Sequence, residues 1–178
     1  MKMSNTSLNA RWLVAHIIQS GVMPIWDIDH VLLNADHRIK LFDQNDVDNG
    51  LVNADQIGAL DLDHYRANTV ADQVQMDKNL PMLEAVHMLN LNNIQYLVST
   101  ARVICEHTRA LLADREIKPA LLMARHGDTD SRRDHVLKVD NIRSHYSDFS
   151  NLLLIDDNLG NCQAFRNLGA NATQVIAV

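Results

Sequence analysis

The run Pro24-Ile25-Trp26-Asp27-Ile28-Asp29-His30-Val31-Leu32-Leu33 decides how this chain is read. An apolar, strand-like stretch ends in two aspartates two positions apart. On extended backbone, residues i and i+2 point to the same side. That places Asp27 and Asp29 together at the mouth of a buried strand. Two like charges so close are costly unless a cation or a shared proton relieves them. The pair therefore suggests a divalent cation, or a nucleophile beside an acid/base partner. Taken alone, an Asp-x-Asp at a strand end is an ordinary solvated turn, so the rest of the chain has to choose.

Working outward, helical and strand-like segments alternate, which predicts an α/β fold around a parallel sheet. Helices are expected over Asn9–Gln19, Leu80–Asn90, Val103–Asp114, Asp134–Tyr146 and Gly160–Leu168. Strands are expected over Val22–Ile28, Ile94–Ser99, Pro119–Met123, Asn151–Ile155 and Thr173–Val178. The stretch from Asn34 to Asn79 breaks this rhythm. It is rich in Asp and Asn, with short helical pieces expected around Ile39–Phe42 and Gln56–Tyr65. It reads as an insertion or cap within a single domain spanning residues 1–178, preceded by an N-terminal helical segment over 1–21.

Composition narrows the function classes. The 178 residues are 47% hydrophobic, ordinary for a globular protein, and the formal net charge is −6. A global basic surface for coating nucleic acid is absent. Charge is uneven: eight aspartates face only Arg66 and Lys78 between Asp43 and Lys78. Eight Lys/Arg stand against six Asp/Glu between Arg102 and Lys138, so a local positive field near a site is available. Cys105 and Cys162 lack the spacing of a zinc site. Two cysteines and no recognisable export signal lead us to expect a reducing cytoplasm. No apolar run approaches the ~20 residues of a membrane span.

The expected strand ends converge on one chemistry. The first carries Asp27 and Asp29, the second Ser99, Thr100 and Arg102. The third leads to Arg125, Arg132, Asp134 and Lys138, and the fourth to Asp156 and Asp157. Ligands of parallel α/β sheets bind at this edge. Several carboxylates in one place suit a hard, oxygen-liganded cation such as Mg²⁺. A hydroxyl and a lysine can hold phosphate oxygens, and a carboxylate can attack phosphorus. A neighbouring carboxylic acid can protonate the leaving oxygen and then activate water. Lys138 alone would be a solvated lysine on a helix. Its place eighteen residues before Asp156, with a helix and a strand between, brings it into the set.

These residues resemble the haloacid dehalogenase (HAD) superfamily: Asp27-Ile-Asp29-His-Val31, Ser99 after an apolar strand, Lys138, and Leu154-Ile-Asp156-Asp157. A closer resemblance is to polynucleotide kinase 3′-phosphatase domains and their small phage and bacterial relatives. It rests on Met123-Ala-Arg125, Gly127-Asp128, Asp130-Ser-Arg132-Arg-Asp134-His-Val136-Leu-Lys138, Leu97-Val-Ser99-Thr-Ala-Arg102 and Asp36-His37-Arg38. The resemblance implies a HAD-like Rossmannoid three-layer sandwich with a central parallel sheet and a small cap. It implies Asp27 as nucleophile and metal ligand, and Asp29 as general acid/base with its carbonyl on the metal. Ser99 and Lys138 would bind the phosphoryl group, and Asp156 and Asp157 would complete a Mg²⁺ site. Thr100, Arg102, Arg125, Arg132, Asp134, His37 and Arg38 would serve the substrate. The chain departs from the pattern at His30, where relatives carry Gly, and at Ser99-Thr-Ala-Arg102, one residue longer than the usual S-G-R.

The expected function is a Mg²⁺-dependent phosphomonoesterase acting through an aspartyl-phosphate, on a nucleotide or a nucleic-acid 3′-phosphate. The altered loops motivate an alternative, a HAD-fold binding or regulatory module with little catalysis. The acidic 34–79 stretch disfavours long nucleic acid lying across it, which leaves a phosphorylated small molecule or a nucleic-acid end. No GxxxxGK[ST] loop accompanies the motifs, so the kinase half of the two-domain enzymes has no counterpart here. Nothing in the sequence specifies an oligomeric state.

Overall fold

The computed structural model describes residues 5–59, 61–127 and 129–176. Met1–Ser4 of the N-terminal segment, Leu60 of the expected 56–65 helical piece, Asp128 of the Gly127-Asp128 match and Ala177-Val178 of the last expected strand lie outside the described residues. The elements begin with α1 (Asn5–Ser20), β1 (Met23–Trp26) and β2 (Leu33–Asn34). There follow α2 (Gln44–Asp48), α3 (Leu62–Ala67), α4 (Ala71–Gln75) and β3 (Lys78–Asn79). The chain continues with α5 (Leu83–Leu91), β4 (Leu97–Val103), α6 (Glu106–Asp114) and β5 (Leu121–Arg125). It closes with α7 (Asp134–His145), β6 (Leu152–Asp156), α8 (Leu159–Asn167) and β7 (Asn171–Gln174). These fall into two compact units: residues 1–34 with 79–178, and residues 35–78.

In the first unit, five parallel strands form a sheet in the order β5-β4-β1-β6-β7, flanked by helices. A parallel sheet covered on both faces needs strands that are apolar throughout. The run Leu152-Leu-Leu-Ile-Asp156 meets that demand, buried at every position. Ile25, Leu97, Leu154, Ile142 and Phe165 make the core between the sheet and its helices. Helix α1 buries Ala10, Leu13, Val14 and Ile17, the i, i+3, i+4, i+7 stripe of an amphipathic helix, and packs on α5. It stops at Gly21, whose φ of 67° lets its N–H return to the Ile17 carbonyl at 2.9 Å. From the central β1 the chain runs outward to β4 and β5. It then crosses to β6 and β7 on the other side, so the order reverses at β1. Such a reversal opens a crevice at the carboxyl ends of the strands.

Three local expectations give way to long-range pairing. Strand β4 continues to Val103, where a helix was expected to begin, because its ladder with β5 resumes after an irregularity and pairs Val103 with Arg125. Helix α6 starts only at Glu106. Strand β7 begins at Asn171 rather than Thr173 and ends at Gln174, its span set by pairing with Leu153–Asp156.

The second unit is held by polar groups. Arg38 is almost wholly buried and donates from Nε and Nη2 to the two Asp77 carboxylate oxygens at 3.0 and 2.8 Å. The guanidinium also lies 4.7 Å from the Tyr65 ring centroid. Asp43 caps α2 through a reciprocal box with Asp46, and Lys40 pairs with Asp46 at 2.9 Å. Buried apolar residues among those described here are Ala35 and Val74. With so little apolar patterning, the helical piece expected over 39–42 gives way to a 3₁₀ turn at Asp36–Arg38 and to α2, and that over 56–65 is met only at its end by α3, after a second 3₁₀ turn at Ala54–Gln56 and before α4.

Candidate active site

Strand register builds the site. Trp26 of β1 lies opposite Val98 of β4 and Ile155 of β6. One step further along the parallel strands come Asp27, Ser99 and Asp156, side by side at the reversal point. All three are buried. Asp27 Oδ1 accepts from the Ile28 N–H at 2.7 Å. Its Oδ2 lies 2.8 Å from Lys138 Nζ, which donates at 2.7 Å to Asp156 Oδ2. Lys138 lies on the inward face of α7, with Leu137, Asn141 and Ile142, and is fully buried.

Asp27, Asp156 and Asp157 each offer a carboxylate oxygen, all within 4.8 Å of one another. Burial pushes the Asp27 carboxyl well above the ordinary range; Lys138 pulls against this, and the like charge of Asp156 adds to it. Burial and the Asp156 charge likewise raise Asp157. Burial alone would lower the Lys138 ammonium, but Asp27 and Asp156 more than offset it, so its pKa lies above the usual lysine value. When all three carboxylates are ionised, one ammonium leaves two negative charges in excess. Hard oxygen donors with that excess suit a divalent cation such as Mg²⁺.

A turn, not an extended strand, places Asp29, and its charge still reaches the Asp27 carboxyl. Strand β1 ends at Trp26, Ile28 lies in a bend, and Asp29 forms a bridge with Leu33. The same-side geometry of an extended pair therefore does not place it. The Asp29 carboxylate meets the nearly buried Arg102, with Nε at 2.9 and 3.0 Å from its two oxygens and Nη2 at 2.6 Å from Oδ1. His30, next in line, has a φ of 57°. That left-handed conformation explains why a glycine would be at ease there.

The remaining predicted residues divide among several surroundings. Ser99 Oγ is buried with no hydrogen-bond partner among the described residues. Thr100 Oγ1 accepts the Arg102 N–H at 3.2 Å. Arg125 donates to the carbonyls of Ala101, Asp130 and Arg132 at 2.7–2.9 Å, tying the loop before α7 to β4. Arg132 pairs with Asp130 and Asp140, and Asp134 lies 3.8 Å from Lys138. Hydrogen bonds from Arg132 hold the Asp130 carboxyl well below the usual range. His37 and Arg38 belong to the second unit: His37 Nε2 lies 2.7 Å from the Gln73 carbonyl, and the Arg38 guanidinium is committed to Asp77. Asn161 was missed in the sequence. Its Nδ2 donates to both Asp156 oxygens at 3.0 and 3.1 Å, from the first turn of α8, which Asn158 caps. Its place five residues after Asp156 was the available signal.

The sequence matches no family model and no curated protein. Solved structures do resemble the fold. A HAD-like family hydrolase from Streptococcus pneumoniae aligns at a TM-score of 0.60 with 12% identity, over 86% of this chain and 84% of that one. The fold is that of the HAD-like hydrolases. A chain of the Pnkp1/Rnl/Hen1 complex aligns at a TM-score of 0.60 with 18% identity over 86% of this chain. A chain of the Pnkp1/Rnl/Hen1 RNA repair complex gives 0.56 and 19% over the same share. This chain spans only 45% and 42% of those two chains. No helix among the described residues is long and apolar enough to cross a membrane.

Proposed function

We propose that this HAD-like chain is a phosphomonoesterase working through an aspartyl-phosphate on Asp27. The observation that carries the reading is the Asp27 carboxylate at the sheet's reversal point, held by buried Lys138 and within 4.8 Å of Asp156 and Asp157. The unpartnered Ser99 Oγ beside it supports a phosphoryl oxygen as the missing partner. An Asp27 oxygen attacks phosphorus as the ester P–O bond breaks, and the leaving oxygen takes a proton from Asp29. Asp29 then accepts a proton from water, which attacks phosphorus and frees Asp27 and phosphate. Lys138 and Ser99 hold the transferred oxygens as charge builds on them. Asp27, Asp156 and Asp157 would hold Mg²⁺, which supplies charge neutralisation to the phosphoryl group when bound. The likeness to a chain of an RNA repair complex supports a nucleotide or nucleic-acid 3′-phosphate as substrate.

The test is turnover of p-nitrophenyl phosphate and of nucleoside 3′-monophosphates with Mg²⁺. Asp27→Asn is expected to lower kcat by at least about 10³-fold while leaving the circular dichroism spectrum unchanged. Undiminished turnover in that variant would sink the assignment. A second reading, a HAD-fold binding module, is favoured by one observation: Arg102 engages both oxygens of Asp29, the group that has to gain and lose a proton. A protein inert to every ester in the panel would support it.

A further inference from the structure

The first unit holds a cavity of about 270 Å³ that the proposed mechanism does not use. Leu13, Val31, Pro81 and Met82 give it aliphatic walls. Trp12 lines it too and is 69% exposed as a residue. Its indole lies parallel to the His16 ring, their centroids 5.7 Å apart and their planes at 6°. No Asp, Glu, Lys or Arg is among the described lining residues. Apart from His30, such walls offer no charged partner to repay the desolvation of a charged group. They suit an uncharged ring with an apolar face, for which an exposed indole is a stacking partner. The volume is just under that of sites for drug-sized ligands, which fits one ring system rather than an oligonucleotide.

The cavity adjoins the catalytic end through the backbone. His30, directly after Asp29, lines it, as do Gln174 and Val175. The Val175 N–H donates to the Asp156 carbonyl and Gln174 Nε2 to the Asp157 carbonyl, each at 2.9 Å. One wall is thus the strand end paired with the carboxylate-bearing end of β6. We infer that the cavity is a subsite for a flat, uncharged aromatic or heteroaromatic group, a phenyl ring or a nucleobase, on the leaving-group side of the phosphate ester. The inference rests on the phosphatase reading and specifies its substrate class.

The test compares ethyl phosphate, phenyl phosphate and a nucleoside 3′-monophosphate in the wild type and in Trp12→Ala, a substitution at an exposed position. The variant is expected to raise KM about tenfold for whichever ring-bearing ester the cavity accepts, with ethyl phosphate unchanged. Which ester responds separates a simple arene from a nucleobase. Equal effects on all three esters, or no effect on any, overturn the subsite. A second measurement stands apart from turnover. Trp26 is buried and Trp12 exposed, so adenosine or phenol without phosphate is expected to quench tryptophan fluorescence saturably, and Trp12→Phe to abolish the quenching. If the wild type hydrolyses none of the esters, the phosphatase reading fails. Quenching then still upholds a ring-binding cavity, and its absence rejects one.

Discussion

At the scale of single residues, the site places charge where it costs stability. Asp27 carries a raised carboxyl pKa, so the folded state holds a proton that the unfolded state has lost between the ordinary carboxylate range and the raised value. Stability therefore falls as pH rises through that window. Without divalent cations, Asp27→Asn is expected to unfold at higher urea than the wild type at pH 7.5, by about 1–2 kcal/mol, with the gap closing toward pH 4. Urea titrations in EDTA at the two pH values check this; a variant no more stable at pH 7.5 would contradict the burial argument. Lys138→Met does the opposite, leaving three clustered carboxylates with no buried cation. It is expected to cost about 3–5 kcal/mol under the same conditions.

At the scale of elements, the two units are stabilised by different means. The sheet of the first unit rests on continuous apolar burial, and its strands were legible as apolar runs. The second unit rests on the Arg38–Asp77 pair, whose partners are 39 residues apart and invisible to any local period. Asp77→Ala leaves a buried guanidinium uncompensated, a loss of about 3 kcal/mol or more. Hydrogen exchange of amides in 36–77 is expected to quicken by about 10²-fold, with β1 and β6 unaffected. Uniform acceleration across both units would refute that local account. The same contrast explains β4. The Ser99–Arg102 stretch looked like the end of a strand, but pairing with β5 carries the extended backbone through it.

At the scale of the whole molecule, the strand order concentrates charge from distant parts of the sequence at one sheet edge. A ligand that binds only the folded state stabilises by mass action, about 2.7 kcal/mol at a hundredfold excess over Kd. Mg²⁺ is therefore expected to raise Tm in a concentration-dependent way, and Asp156→Asn to blunt the response. Equal responses in the two proteins would place the cation elsewhere.

The sequence by itself determined the fold class and which carboxylates meet at one sheet edge. Strands buried on both faces must be apolar throughout, and parallel strands send all their carboxyl ends to one edge, so Asp27, Ser99 and Asp156 could be read together before any geometry. Only the tertiary structure decided the order β5-β4-β1-β6-β7 that seats Asp27 between Ser99 and Asp156. It also decided the Arg102 grip on Asp29, the Asn161 support of Asp156 and the ring-sized cavity beside them. The Arg102 grip and the cavity depend on residues tens of positions apart or on where helices pack, and Asn161, only five residues from Asp156, reaches it through the first turn of α8; none of these leaves a mark in local periodicity.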